Sequence, residues 1–261
     1  MTFADAKQRF SNRVSDYVLH RPGYPQGLIG VLQQQCRLTK ENIIADVGSG
    51  TGILSKLFLE HGNGVFGVEP NTEMRAAGEA FLRKYKNFTS IAAEAEATKL
   101  SDASVDFVTA AQAFHWFQPE AARREFRRIL RPDGWVVIIW NDRRNDESPF
   151  SRQYEELLER YGTDYARVKA SYPDSRQVQK FFGEDACGVR ELANHQLFDF
   201  PGLVGRLKSS SYIPQEGHQT FAPMLADLQR LFNKNQQGGF VRMEYITRIY
   251  FAQLKTAGTK A

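Results

Sequence analysis

In Asp46-Val47-Gly48-Ser49-Gly50-Thr51-Gly52 an acid stands two residues ahead of three glycines at alternate positions, and Glu69 closes a short apolar run further on. Glycines lack a Cβ, so this stretch can turn tightly and bring its backbone close to a ligand. A carboxylate at Glu69 can accept hydrogen bonds from both hydroxyls of a ribose. A second chemistry-bearing stretch is Gln112-Ala113-Phe114-His115-Trp116-Phe117, an imidazole set among aromatics. Histidine titrates near neutrality, so His115 is the candidate general base. The competing reading is an imidazole that orients its loop or packs on Trp116. A third stretch carries Asn141, Arg143 and Arg144. Arg143 there could hold a carboxylate bidentately or lie solvated.

The elements that must position these groups are legible from periodicity. Ile43–Val47 reads as a buried strand, and Ile53 to Leu59 has apolar residues at helical spacing. Strand, glycine turn and helix N-terminus form a nucleotide-binding corner. Val65 to Glu69 is a second strand. The corner suits a dinucleotide or S-adenosylmethionine. The dinucleotide fingerprint is G-x-G-x-x-G, whereas this chain has G-x-G-x-G preceded by Asp46. A tight loop without a phosphate-binding turn suits a ligand with no pyrophosphate.

Asn71 or Thr72 can cap a helix running to about Tyr85. Met74 near its start reads as core or as a surface for an adenine ring. Phe88 to Ala92 is a third strand, followed by Glu94-Ala95-Glu96, where an acid and backbone amides could read an adenine edge. Val105 to Ala110 is a fourth, and His115 lies past its end. Pro119 to Leu130 is a helix, Arg131 to Gly134 breaks the chain, and Trp135 to Trp140 is a fifth strand with Asn141 and Arg143 beyond it. This alternation predicts right-handed crossovers and a parallel sheet, with ligands at the carboxyl ends of the strands.

The flanks are less regular. Residues 1–38 read as an N-terminal arm and helix. Tyr17, Arg21 and Tyr24 lie beside two prolines in an arm that either covers the sheet edge or closes over a ligand, and Pro25 to Leu38 is helical. Residues 146–188 break the alternation and are expected to form a cap over the active edge. Val189 to Phe200 is a sixth strand, Gly202 to Ser210 a short helix, Phe221 to Asn233 an amphipathic helix and Phe240 to Phe251 a last strand.

A length of 261 residues with 42% hydrophobic content suits one domain with an elaboration. The net charge of +4 is spread through the chain, so no nucleic-acid partner is expected. Cys36 and Cys187 make no disulfide framework, which points to a reduced cytoplasmic protein. There is no secretory h-region, no membrane-spanning apolar run and no Cys/His cluster for a metal. The expected partner is a small-molecule substrate.

Taken together, Tyr17-x-x-x-Arg21-Pro22-x-Tyr24-Pro25, Asp46 to Gly52, Ala95-Glu96, Gln112 to Phe117, Leu130-Arg131-Pro132-x-Gly134 and Trp140-Asn141-x-Arg143 resemble a class I S-adenosylmethionine-dependent methyltransferase of the type-11 group, in the subgroup with F-H-W-F after strand 4. The resemblance implies a single α/β domain with a Rossmann-like, seven-stranded, mostly parallel sheet of order 3-2-1-4-5-7-6, its strand 7 antiparallel, with helices on both faces. It implies S-adenosyl-L-methionine as cofactor, held by Tyr17, Arg21, Asp46, Gly48, Gly50, Gly52, Glu69, Pro70, Met74, Glu94, Ala95, Glu96 and Gln112. Tyr24, Trp116, Asn141 and Arg143 would face the substrate. One departure is Ala93-Glu94-Ala95 where the broader family often has G-D-A. The Asn-Pro-Pro-Tyr motif of enzymes that methylate exocyclic amines is absent after strand 4. The expectation is methyl transfer to oxygen, carbon, sulfur or carboxyl of a small molecule, with a nicotinamide-dependent oxidoreductase or a non-catalytic cofactor-binding scaffold as alternatives.

Overall fold

A computed structural model describes residues 20–171, 175–183, 185 and 187–254. Helix α1 (Gly27–Cys36) leads into β1 (Ile43–Val47), α2 (Ile53–His61), β2 (Gly64–Val68), α3 (Thr72–Leu82), β3 (Phe88–Ile91) and β4 (Val105–Ala111). A 3-10 turn (Phe114–Trp116) precedes α4 (Pro119–Ile129) and β5 (Leu130–Arg143). Three helices follow, α5 (Pro149–Tyr161), α6 (Tyr165–Ser171) and α7 (Ser175–Phe182). The chain then runs through β6 (Gly188–Phe198), α8 (Phe200–Lys208), α9 (Phe221–Asn235) and β7 (Val241–Gln253).

The seven strands form one sheet of order β3-β2-β1-β4-β5-β7-β6, as the resemblance implied. β1 runs parallel to β2 and β4, and β4 parallel to β5. β7 is antiparallel to both β5 and β6. Ile44, Ala45, Asp46 and Val47 are all buried. That is the signature of a central parallel strand covered on both faces, where a continuous apolar run replaces alternation.

Two differences from the sequence reading concern the site. Strand β5 runs on to Arg143, paired with Tyr245 of β7, so Asn141 and Arg143 stand inside the ladder rather than in a loop beyond it. The Arg131–Gly134 break is an irregularity within the strand, where the register passes from Val105↔Leu130 to Phe107↔Trp135 and Asp133 takes φ +64°.

The segment after β5 also divides. Val178, Phe181 and Phe182 of α7 pack with Phe114, Phe117 and Phe126 in the main core, Phe114 and Phe181 with ring centroids 5.0 Å apart. Tyr154 and Leu158 of α5 pack instead with Met224 and Leu228 of α9 and with Met243 and Tyr245 of β7. Among the described residues no helix is long and apolar enough to cross a membrane.

Candidate active site

The glycine turn sits where β1 meets α2. Gly48 takes φ +70°, and a Cβ there would lie 2.5 Å from the Cβ of Ala113, so the turn and the loop after β4 touch backbone to side chain. Only glycine permits that approach. Gly50 takes φ +55°, and its N–H donates to Glu69 Oε2 at 2.9 Å. Glu69 Oε1 accepts from the N–H of Asn71 at 2.8 Å, and Asn71 in turn caps α3 by accepting from Met74 N. One carboxylate at the end of β2 thus braces both the glycine turn and the start of α3. Burial pushes the Glu69 carboxyl above its usual range, and the two N–H groups offset this only in part. Met74 is buried, with its Cε 3.3 Å from where a Gly50 Cβ would stand.

Asp46, expected beside the cofactor, has a fully buried carboxylate that accepts from Ser55 Oγ at 2.6 Å and Thr109 Oγ1 at 3.2 Å. It ties β1 to α2 and β4. Burial raises its pKa to about 6 against those hydroxyl bonds. The Glu96 carboxylate accepts from Gln118 N at 2.6 Å and joins the loop after β3 to the start of α4. Glu94 is exposed and Ala95 buried in that loop, and Pro70 is half-buried beside Glu69. Gln112, at φ +56°, donates from Nε2 to the Asn141 carbonyl at 3.1 Å, closing the gap between the ends of β4 and β5.

His115 sits in the 3-10 turn. Its ring lies 4.4 Å from the Trp116 ring and 5.3 Å from that of Trp140 on β5. Part of the ring surface stays exposed, but Nδ1 is buried, and burial pushes the imidazole pKa down to about 3. That direction favours a ring that is uncharged at neutral pH over a base that titrates near neutrality. The ring resonances of His115 are expected to hold constant from about pH 5 to 8 in an NMR titration, against an ordinary histidine near 6.5. A midpoint between pH 6 and 7 would restore the base role.

The substrate-side residues are largely engaged within the protein. Asn141 is buried: its Nδ2 donates to the Gly23 carbonyl at 3.2 Å, and its Oδ1 accepts from Thr247 Oγ1 at 2.5 Å and Asn194 Nδ2 at 3.3 Å. Expected to face a substrate, it joins β5, β6, β7 and the Gly23 carbonyl before α1. Arg143 is neither solvated nor open. Its Nη2 pairs with Glu155 of α5 and donates to Tyr165 Oη at 2.9 Å, its Nε donates to Asn145 Oδ1 at 2.7 Å, and its guanidinium lies 5.1 Å from the Tyr154 ring centroid. Arg21, expected near the cofactor, donates from Nη2 to the Ser209 carbonyl at 2.8 Å, just past the end of α8. Tyr24 packs on the core of α1 and Trp116 on the main core. Tyr17 lies outside the described residues.

Sequence reasoning missed Arg206, Tyr154, Glu155, Tyr165, Tyr212 and Tyr245, which gather around Arg143. One signal was present: Arg206 interrupts the apolar run of Leu203, Val204 and Leu207 in α8, at a position that faces the core.

A seven-stranded sheet of this order, with a glycine turn after β1 and an acid ending β2, defines the class I methyltransferase architecture. Residues 45–138 match the family model described as a methyltransferase domain. It is 33% identical over 156 residues to an uncharacterized methyltransferase-like protein of Schizosaccharomyces pombe, a match spanning 59% of this chain and 59% of that relative's length. Its fold is similar to a solved chain from Anaeromyxobacter dehalogenans described as a putative type II methyltransferase (TM-score 0.70, 21% identity, 90% of this chain and 98% of that one). It is also similar in fold to phosphoethanolamine N-methyltransferase 2 of Haemonchus contortus (TM-score 0.59, 15% identity, 97% of this chain and 59% of that one).

Proposed function

We propose that the protein transfers the methyl group of S-adenosyl-L-methionine to a small-molecule acceptor. The observation that carries this reading is the Gly50–Glu69–Asn71 brace, which sets a buried carboxylate and a glycine turn on the same corner. That donor set fits a nucleoside ligand without a pyrophosphate. The Haemonchus contortus neighbour was solved in complex with S-adenosyl-L-methionine. In this reading Gly48, Gly50 and Gly52 with Glu69, Pro70, Met74, Ala95 and Gln112 hold the cofactor.

The bound cofactor supplies a methyl group already activated by its sulfonium. What this chain's residues contribute is alignment of the acceptor and exclusion of water. His115, neutral, tilted against the Trp116 indole and edge-on to that of Trp140, holds the loop after β4 and carries no charge into the site. The segment between β5 and β6 and the residues before α1 form the walls on the acceptor side. Both cysteines are free thiols, Cys36 buried, in keeping with a reduced cytoplasmic setting.

Isothermal titration with S-adenosylmethionine, S-adenosylhomocysteine and NAD tests the cofactor. Saturable binding of the first two and none of the third is the expected result, and NAD binding alone would transfer the protein to the nicotinamide-dependent class. Radiolabelled methyl transfer to a panel of metabolites then separates an enzyme from a silent scaffold. Glu69→Gln sharpens the test. The glutamine keeps one acceptor but turns an NH2 toward one of the two backbone donors. A charge-assisted bond of roughly 1.5–3 kcal/mol is lost, so affinity for S-adenosylhomocysteine is expected to fall at least about tenfold. An unchanged isotherm would place the ribose elsewhere.

A further inference from the structure

Arg206 is the least expected charge in the molecule. It lies on α8 and is 5% exposed. Among the described residues its guanidinium reaches only neutral groups: Tyr245 Oη at 3.5 Å, Ser209 Oγ at 3.4 Å and Ser210 Oγ at 3.1 Å. No carboxylate among the described residues comes within ion-pair distance of it, and the groups acting on its charge are the phenols of Tyr245, Tyr154 and Tyr212. Arg143, by contrast, is matched by Glu155. A buried charge is ordinarily paired, because the loss of its hydration is otherwise uncompensated.

A second observation points the same way. The Tyr154 hydroxyl is buried with no hydrogen-bond partner among the described residues, in the same cluster and within the field of Arg206 and Arg143. Buried polar atoms are nearly always satisfied, so an exception calls for an explanation. Tyr212 reports the sign of the local field. Burial pushes its phenol up, yet the guanidiniums of Arg143, Arg206 and Arg21 outweigh this and hold it below its usual value. Arg21 reaches the Ser209 carbonyl beside the same serine hydroxyls, so the residues before α1 close on this cluster. Tyr245 faces Arg143 across the ladder at the carboxyl end of β5, the edge on which Trp140 and His115 also stand.

We propose that Arg206, with the Tyr154 hydroxyl, receives an oxyanion carried by the methyl acceptor, so that the acceptor is a small organic molecule bearing a carboxylate or a phosphate monoester. The Tyr245 hydroxyl, which donates to Gln196 Oε1 at 2.9 Å, holds the Arg206 Nε instead. The guanidinium fork matches two oxygens of either group, and a phenol can donate to a third lone pair. The bound anion supplies the negative charge that the protein itself does not place beside Arg206. The inference rests on the methyl-transfer reading for the word acceptor, and on the cluster alone for the anion site.

The test uses the full chain at constant ionic strength in chloride, with inorganic phosphate and succinate as probes, by calorimetry and thermal shift, with and without S-adenosylhomocysteine. Saturable binding of at least one probe is expected. It should weaken at least tenfold in Arg206→Met and measurably in Tyr154→Phe, while affinity for S-adenosylhomocysteine stays unchanged in both. A preference for phosphate over succinate assigns a phosphate monoester, and the reverse a carboxylate. No saturable binding of either probe to the wild type, or wild-type titrations in both variants, would overturn the site. Should Arg206→Met fail to fold, Tyr154→Phe decides, since it removes a single oxygen: an unchanged isotherm overturns the proposal. Intact anion binding without any S-adenosylhomocysteine binding would strike down the methyl-transfer reading and the acceptor assignment, and leave the anion site standing.

Discussion

Gly50→Val is expected to abolish cofactor binding while the sheet stays folded. Gly50 takes φ +55°, a region in which a side chain costs roughly 1–2 kcal/mol, and valine's branched Cβ is among the worst suited to it. The new Cβ would stand 3.3 Å from Met74 Cε, the free end of a flexible side chain that can move aside. The turn lies outside the ladder, so the strands keep their pairing. The change in the turn itself is larger. The Gly50 N–H loses its alignment on Glu69 Oε2, and with it goes the bond that holds the carboxylate at the corner. The melting midpoint should fall by about 2–8 °C, taking about 2–4 °C per kcal/mol for a domain of this size. Affinity for S-adenosylhomocysteine should fall more than about a hundredfold, a difference of roughly 2.7 kcal/mol. Calorimetry on the folded variant is the measurement, and wild-type affinity would remove this turn from the site.

The second large effect is on stability. Glu155→Ala leaves the Arg143 guanidinium buried without its counter-ion, and truncating one partner of a buried pair costs about 3–5 kcal/mol. Glu155 also accepts from Tyr165 Oη at 2.7 Å and from Lys169 Nζ at 2.6 Å, so three donors lose their partner together. The midpoint should drop by roughly 6–20 °C. A midpoint within a degree of wild type would mean the pair contributes nothing net. The pH dependence follows from the direction of the Glu155 shift. Burial raises the carboxyl, but Arg143, Lys169 and Tyr165 outweigh it, so the folded pKa lies below the unfolded value of 4.5. The unfolded chain then binds the proton more readily, and the contribution is fully present above pH 4.5 and lost as pH falls through the folded pKa. Melting curves of wild type and variant should differ most at pH 6–8 and draw together in acid.

How far the sequence could be read follows from the range of the interactions involved. The β1 run, the three glycines and the acid ending β2 lie within a short stretch of chain, and each follows from local rules of strand burial and turn geometry. The alternation of strand and helix similarly constrained the parallel half of the sheet through chirality. The strand order itself came from resemblance, and an antiparallel β7 inserted between β5 and β6 leaves no local mark.

The acceptor side was decided at long range. Arg143 was singled out as a residue that could hold a carboxylate, and the carboxylate it holds is Glu155 of its own chain. Asn141 was read as facing a substrate, but Gly23, Asn194 and Thr247 come to it from three other parts of the chain. His115 was recognised from its residue type. Its pKa is set by burial beside Trp116 and Trp140, and the strand carrying Trp140 reaches it only through the fold. Arg206 was passed over because charge on a helix is ordinarily solvated, and only the packing of α8 against β7 and the aromatic cluster turns it into a buried cation. The sequence by itself determined the glycine turn, the acid ending β2 and the parallel half of the sheet, because backbone conformation and hydrophobic period are local properties. Tertiary structure alone decided which of the described buried charges meet a counter-charge, because desolvation and ion pairing depend on neighbours that the chain supplies from far away.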